Sequence, residues 1–179
     1  MTFYQEIAKL KNVLRKGWVV RDIKGENGRV ESDAEHTFSM VLLSLEMINK
    51  FKLKLDQEKV MKMVLYHELC EIDYGDHTPM EKITKEEKYL GELKCIQRLS
   101  RQYNMPEILT LWQEFEEGKT PEAQFVKEMD KLDAIMQSKI YADSENRQDV
   151  FEVFKNYSLD IFNKYIDNEN SVSDNDRDL

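Results

Sequence analysis

Proline and glycine are scarce in this chain, with three and six among 179 residues. So few breakers leave long stretches free to be helical, and 41% apolar with 34% charged residues is the balance of a helix-rich, water-soluble domain. No run of eighteen or so apolar residues occurs, so no membrane-spanning helix is expected. The opening Met-Thr-Phe-Tyr-Gln-Glu lacks the charged-then-apolar plan of a signal peptide. Only two cysteines are present, Cys70 and Cys95, both in helical patterns and without paired spacing. Reduced thiols in a cytoplasmic setting are therefore expected rather than a disulfide. Positive charge is in deficit: the formal net charge is −9, which argues against a nucleic-acid polymer as partner. A small phosphorylated ligand is still allowed, because it needs only a few local cations. No internal repeat, glycine-rich phosphate loop or convincing strand is visible.

What the chain does have is apolar residues at helical spacing. Phe3, Ile7, Leu10, Val13 and Leu14 form an amphipathic stripe over residues 2–16. Ser32 or Asp33 can cap a second helix, apolar on most sides from Met40 to Phe51 and therefore central. Val60, Met63 and Val64 carry a third inward to His67. Thr84-Lys-Glu-Glu87 is a capping box that opens another, with Leu90, Leu93, Ile96 and Leu99. Pro106 and Gly118 bracket the next, and Thr120-Pro121 starts the helix that carries Phe125, Val126, Met129, Leu132 and Ile135. A last apolar pattern runs from Val150 to Tyr165. The expectation is an all-α single domain over residues 1–166 with six or seven helices, followed by a polar acidic tail, 167–179, that need not fold.

The chemistry is concentrated in Tyr66–Asp76, where one histidine and four carboxylates (Glu68, Glu71, Asp73, Asp76) fall within ten residues. In a helix His67 and Glu71 share a face, and Glu68 is turned about 100° away. Adjacent carboxylates repel, and one must hold its proton unless something positive stands among them; a divalent metal answers that need. An acidic helix end running into a solvated turn at Gly75 would explain the same residues. His36, in the first turn of the central helix, is open to reading as a hydrogen-bonded structural histidine. Asp130, beside the 125–140 stripe, could be a rim residue paired with a lysine. Trp18, between Lys16 and Arg21, is either a platform for a sugar or base or a core tryptophan.

Taken in chain order, His36, His67-Glu68 and Asp130 stop looking independent. The arrangement resembles the H…HD…D pattern of the HD-domain metal-dependent phosphohydrolases, and more closely their 5′-deoxynucleotidase branch. The matching pieces are Gly17-Trp18-Val-Val-Arg21, Ser32-Asp-Ala-Glu-His36, Tyr66-His-Glu-Leu-Cys-Glu71, Tyr74-Gly-Asp76, Ile83-Thr-Lys-Glu-Glu-Lys88 and Phe125-Val-Lys-Glu-Met-Asp130-Lys-Leu-Asp133. They span roughly Leu14 to Asn146.

The resemblance implies a single HD-domain helical bundle with the metal site at its centre, assembled as a homodimer. It implies that His36, His67, Glu68 and Asp130 bind one divalent ion, a mixed N/O donor set suited to Mn, Co, Fe, Ni or Zn. Glu71 and Asp76 would orient and deprotonate the attacking water. Trp18, with Lys16 or Arg21, would hold the sugar and phosphate of a deoxynucleoside 5′-monophosphate. Asp73 is left without a role and is expected to be solvated. Two departures matter. Glu68 stands where the family has aspartate, adding a methylene of reach. Gly17 stands where these deoxynucleotidases carry a basic residue immediately before the tryptophan. Two other readings therefore stay open. One is an HD phosphohydrolase for another phosphorylated metabolite or signalling nucleotide; the other is a metal- or nucleotide-binding module with weakened catalysis.

Overall fold

Helix starts in this chain are set by side chains that satisfy the first unpaired amides. Thr2, Ser32, Asp56, Thr84 and Thr120 each accept from a backbone N–H in the first turn, and Gln5, Glu35 and Glu87 return the bond at the first, second and fourth of these starts. The computed structural model describes residues 1–25, 28–78 and 81–167; from residue 168 onward the expected acidic tail lies outside the described residues. The helices are α1 (Phe3–Ile7), α2 (Lys16–Val19), α3 (Asp33–Phe51), α4 (Gln57–His67), α5 (Glu71–Tyr74), α6 (Lys85–Gln102), α7 (Pro106–Glu117), α8 (Pro121–Glu145), α9 (Gln148–Tyr157) and α10 (Leu159–Phe162). Six of them have ten residues or more. The described residues contain no β-strand, only an isolated antiparallel bridge between Leu14 and Ser32. The fold is all-α, and no described helix is long and apolar enough to cross a membrane.

The largest apolar cluster joins α3, α4 and α8 through Met40, Met47, Ile48, Val60, Met63, Val64, Val126, Met129 and Leu132. Each such side chain contributes about 1.5–3 kcal/mol on burial. A second cluster packs Ile96, Leu99, Ile108 and Trp112 of α6 and α7 on Leu69. A third, smaller one gathers Trp18, Ile23, Val30, Tyr141 and Val150. Cys70 and Cys95 are both buried and free.

Three elements differ from the helical reading of the sequence, each for a local reason. The N-terminal stripe is a five-residue α1 followed by a 3₁₀ segment, Ala8–Asn12. The chain then straightens to pair with residues 31–33, with Asp33 N donating to Val13 O (2.9 Å) and Arg15 N to Glu31 O (3.0 Å). The helix through His67 does not run on to Asp76. It ends at His67, tightens into a 3₁₀ turn at Glu68–Cys70, resumes as α5, and stops at Gly75, whose φ of +79° suits glycine. The final helix is broken at buried Ser158 (φ −137°, ψ 47°) and restarts as α10.

A glycine inside α6 also has a packing reason. A Cβ on Gly91 would lie 2.2 Å from the Tyr74 ring, so this helix accepts the roughly 1 kcal/mol cost of glycine to let α5 approach.

The N-terminus is tied down by Glu6, 2% exposed, which accepts from Lys9 (2.7 Å), Arg98 of α6 (2.9 Å) and Tyr103 (2.9 Å). Burial opposes its charge, but these donors prevail and hold the carboxyl at about 2, below its ordinary 4.5. A depressed carboxyl stabilises above its unfolded value and loses that contribution as pH falls towards the folded one. Glu6→Gln should therefore cost about 2 kcal/mol at neutral pH. The gap from wild type in urea unfolding should narrow steadily between pH 4.5 and 2.

Candidate metal and catalytic site

The three helices of the main cluster deliver one group each to a single point. His36 comes from the first turn of α3, His67 from the last residue of α4 with Glu68 just beyond it, and Asp130 from α8. His36 Nε2 lies 3.2 Å from Asp130 Oδ1 and 3.6 Å from Glu68 Oε1, while His67 Nε2 lies 3.3 Å from Glu68 Oε1. One ligand atom from each of the four falls within 4.8 Å of all the others. Both Nε2 atoms are buried without a hydrogen-bond partner, which is costly unless an electron-poor centre occupies the space between them. His67 Nδ1 is 2.7 Å from the Val64 carbonyl, an acceptor only, so that nitrogen carries the proton and Nε2 presents its lone pair. Two imidazoles and two carboxylates so arranged fit a divalent ion.

A cation of the protein's own already reaches this point. The Arg15 guanidinium sets Nη1 at 2.6 Å from Glu68 Oε1, Nη2 at 3.5 Å from Asp130 Oδ1 and Nη1 at 4.0 Å from Asp33 Oδ1. Burial opposes the charge on Glu68, yet Arg15 and His67 hold its carboxyl well below the usual range. Asp130 is likewise lowered to about 2 against burial, by His36 and Arg15. Burial and Arg15 disfavour charge on His36, but Asp130 and Asp133 raise it to about 10. Burial first, and then Glu68, pushes Asp33 up to about 8. Burial, Glu68 and Asp76 push Glu71 up to about 10. With Arg15 as the guanidinium among them, part of this acid cluster stays protonated.

The site opens into a cleft of about 500 Å³ lined by Arg15, His67, Glu68, Glu71, Asp76, His77, Asp130 and three lysines, Lys85, Lys88 and Lys127. A smaller chamber of about 160 Å³ shares Arg15, Asp76 and His77 with it and is walled by Trp18, Phe154 and Ala134. Asp76 Oδ2 accepts from the Lys16 backbone N–H at 2.6 Å. Trp18 combines both roles open to it: 2% exposed and packed 4.5 Å from Phe154, with its indole N–H on Glu31 (2.8 Å), it is a core residue that also walls the chamber.

The cations suggested for substrate lie elsewhere. Lys16 Nζ pairs with Glu81. Arg21 donates to Gly17 O (2.8 Å) and covers the Phe154 ring at 5.0 Å, outside the cleft lining. Asp73 is exposed but not merely solvated, since Arg98 donates to it at 2.6 Å.

Arg15 is at the site without having been singled out in the sequence, and Asp33, Lys88 and Asp133, though inside the matching pieces, had been given no role there. Arg15 is delivered by the bridge to residues 31–33, which no local periodicity announces. Lys88, in the first turn of α6, is half-buried and 3.3 Å from buried Glu92. Arg15→Met would leave Glu68 buried without its counter-ion. A loss of about 3 kcal/mol is expected in chelator-treated protein, and saturating Mn should shrink the deficit in parallel urea titrations.

Comparison with known proteins gives a consistent picture. A family model described as HD domain matches residues 7–172. The chain is similar to 5′-deoxynucleotidase HDDC2 of Dictyostelium discoideum, at 36% identity over 79% of this chain and 76% of that protein. It is also similar to the Homo sapiens protein of that name, at 30% identity over 91% of this chain and 78% of that one. Among solved structures, a Pyrococcus horikoshii protein matches with a TM-score of 0.73 and 28% identity, covering 94% of this chain and 95% of that one.

Proposed function

The chain belongs to the HD-domain family, and from that membership we propose that it is a divalent-metal-dependent 5′-deoxynucleotidase, releasing phosphate from deoxynucleoside 5′-monophosphates. The observation that carries this reading is the convergence of His36, His67, Glu68 and Asp130, two of them with unpartnered Nε2 atoms, beside a cleft that holds both carboxylates and four cations. These four would hold the ion, and their mixed N/O set suits Mn, Co, Fe, Ni or Zn. The ion supplies Lewis acidity and lowers the pKa of a nearby water.

The chain's own groups do the rest. An ion held by Glu68 and Asp130 would draw the neighbouring Glu71 back to its carboxylate form. Glu71 and Asp76 would then orient the water and take its proton, with Asp76 fixed by the Lys16 amide. Arg15 and Lys88 face the non-bridging phosphate oxygens. Trp18 and Phe154 hold the deoxyribose in the side chamber, and Arg21 backs Phe154 from behind. Glutamate at position 68 reaches the site, with Oε1 at 3.3 Å from His67 Nε2 and 3.6 Å from His36 Nε2. An apolar groove of Phe3, Tyr4, Ile7, Leu65 and Tyr66 supports the homodimer, and buried reduced Cys70 and Cys95 support a cytoplasmic setting.

Phosphate release from dAMP or dUMP with added Mn or Co is the direct test, and no release from any nucleotide across several metals would sink the proposal. Equal rates on ribonucleotides would redirect it to another phosphorylated substrate. Glu71→Gln is expected to lower kcat by about 10²–10⁴ while metal content, read by elemental analysis, stays stoichiometric. His36→Ala and Asp130→Ala should instead empty the protein of metal.

A further inference from the structure

His36 has two ring nitrogens, and α8 addresses both. On the Nε2 side Asp130 Oδ1 stands at 3.2 Å, and on the Nδ1 side Asp133 Oδ2 stands at 2.7 Å. The two aspartates are three residues apart and so are neighbours on one helix face, which brackets the ring. His36 is fully buried and Asp133 is 6% exposed. The other carboxylate grouped with them, Glu31, accepts the Trp18 indole N–H at 2.8 Å. Asp133 is thus the acceptor available to Nδ1, and a carboxylate there is the strong kind.

A neutral imidazole with no acceptor at Nδ1 divides between two tautomers, and the one protonated on Nε2 cannot be a ligand. His67 avoids this with a backbone carbonyl, that of Val64 at 2.7 Å. Among the described residues His36 Nδ1 meets no such carbonyl and faces a side chain, Asp133, instead. Building on the metal-site reading, we propose that Asp133 is a positioning residue for the metal centre. By accepting the Nδ1 proton of His36, it keeps the Nε2 lone pair facing His67, Glu68 and Asp130 and makes that nitrogen a better donor. Asp130 and Asp133 then have opposite tasks on the same ring, one beside the donor atom and one behind it.

The test is a titration of wild-type protein, Asp133→Ala, Asp133→Asn and Asp133→Glu with Mn against a competing chelator. Ala and Asn are expected to weaken binding by about 10- to 100-fold. The amide fails because it can donate to Nδ1 and so support the wrong tautomer. Glu, which keeps the carboxylate, should recover most of the affinity. Histidine ¹H–¹⁵N correlation spectra of zinc-loaded wild-type protein should show His36 protonated on Nδ1. Wild-type affinity in both Asp133→Ala and Asp133→Asn, or a loss confined to melting temperature, overturns the inference. Should the alanine variant not fold, the isosteric asparagine variant and the wild-type spectrum decide, and an Nε2-protonated His36 is fatal to it. A wild-type protein that binds no divalent ion would instead overturn the metal site itself, and this inference with it.

Discussion

Like charges crowded into a poorly hydrated space repel strongly, and this molecule gathers Asp33, Glu68, Glu71, Asp130 and Asp133 around two buried imidazoles. Two unit charges 4 Å apart interact by about 4 kcal/mol at the screening typical near a protein surface. A handful of such pairs is comparable to the whole stability of a domain. The fold answers by bringing the Arg15 guanidinium to the same point. Arg15 pairs with Glu68 and approaches Asp130 and Asp33, and His36 and His67 sit between the carboxylates. The bridge that pins residues 13–15 to 31–33 makes sense in this light: it delivers Arg15 from one side while α3 presents Asp33 and His36 from the other.

How much of this was legible in the sequence depended on the range of the interaction. Helix starts are local, and Ser32, Thr84, Pro106 and Thr120-Pro121 mark them in the chain as in the structure. His36, His67, Glu68 and Asp130 were each open to a structural reading alone, and it was their order, through its resemblance to the HD-domain pattern, that joined them. Arg15 was not legible, because its placement rests on a pairing eighteen residues away in the chain. Asp133 looked like any helical neighbour of Asp130, and only the position of a ring on α3 separates the two. The 3₁₀ turn at Glu68–Cys70 was hidden for another reason. Apolar spacing cannot distinguish a continuous helix from one that tightens by a fraction of a turn.

The charge of the molecule is uneven in a way its total conceals. Overall it is strongly acidic, and the cleft sets Arg15, Lys85, Lys88 and Lys127 among Glu68, Glu71, Asp76, Glu92, Glu116 and Asp130. A long polyanion would meet repulsion over most of the surface, while the cleft places four cations within reach of one small anion.

Gly91 and Tyr74 fix more than a close approach. Sliding α6 by one residue along α5 would rotate its faces by about 100° and put a side chain where the ring now lies. Slippage by a full turn would carry the helix about 5.4 Å along its axis. Either shift is blocked sterically, so the contact acts as a register stop between the two helices. Lys85 and Lys88, on the same helix and up to two turns from Gly91, inherit that register. The distance of these two charges from the cleft floor is thereby set by a residue that carries no side chain and takes no part in the chemistry.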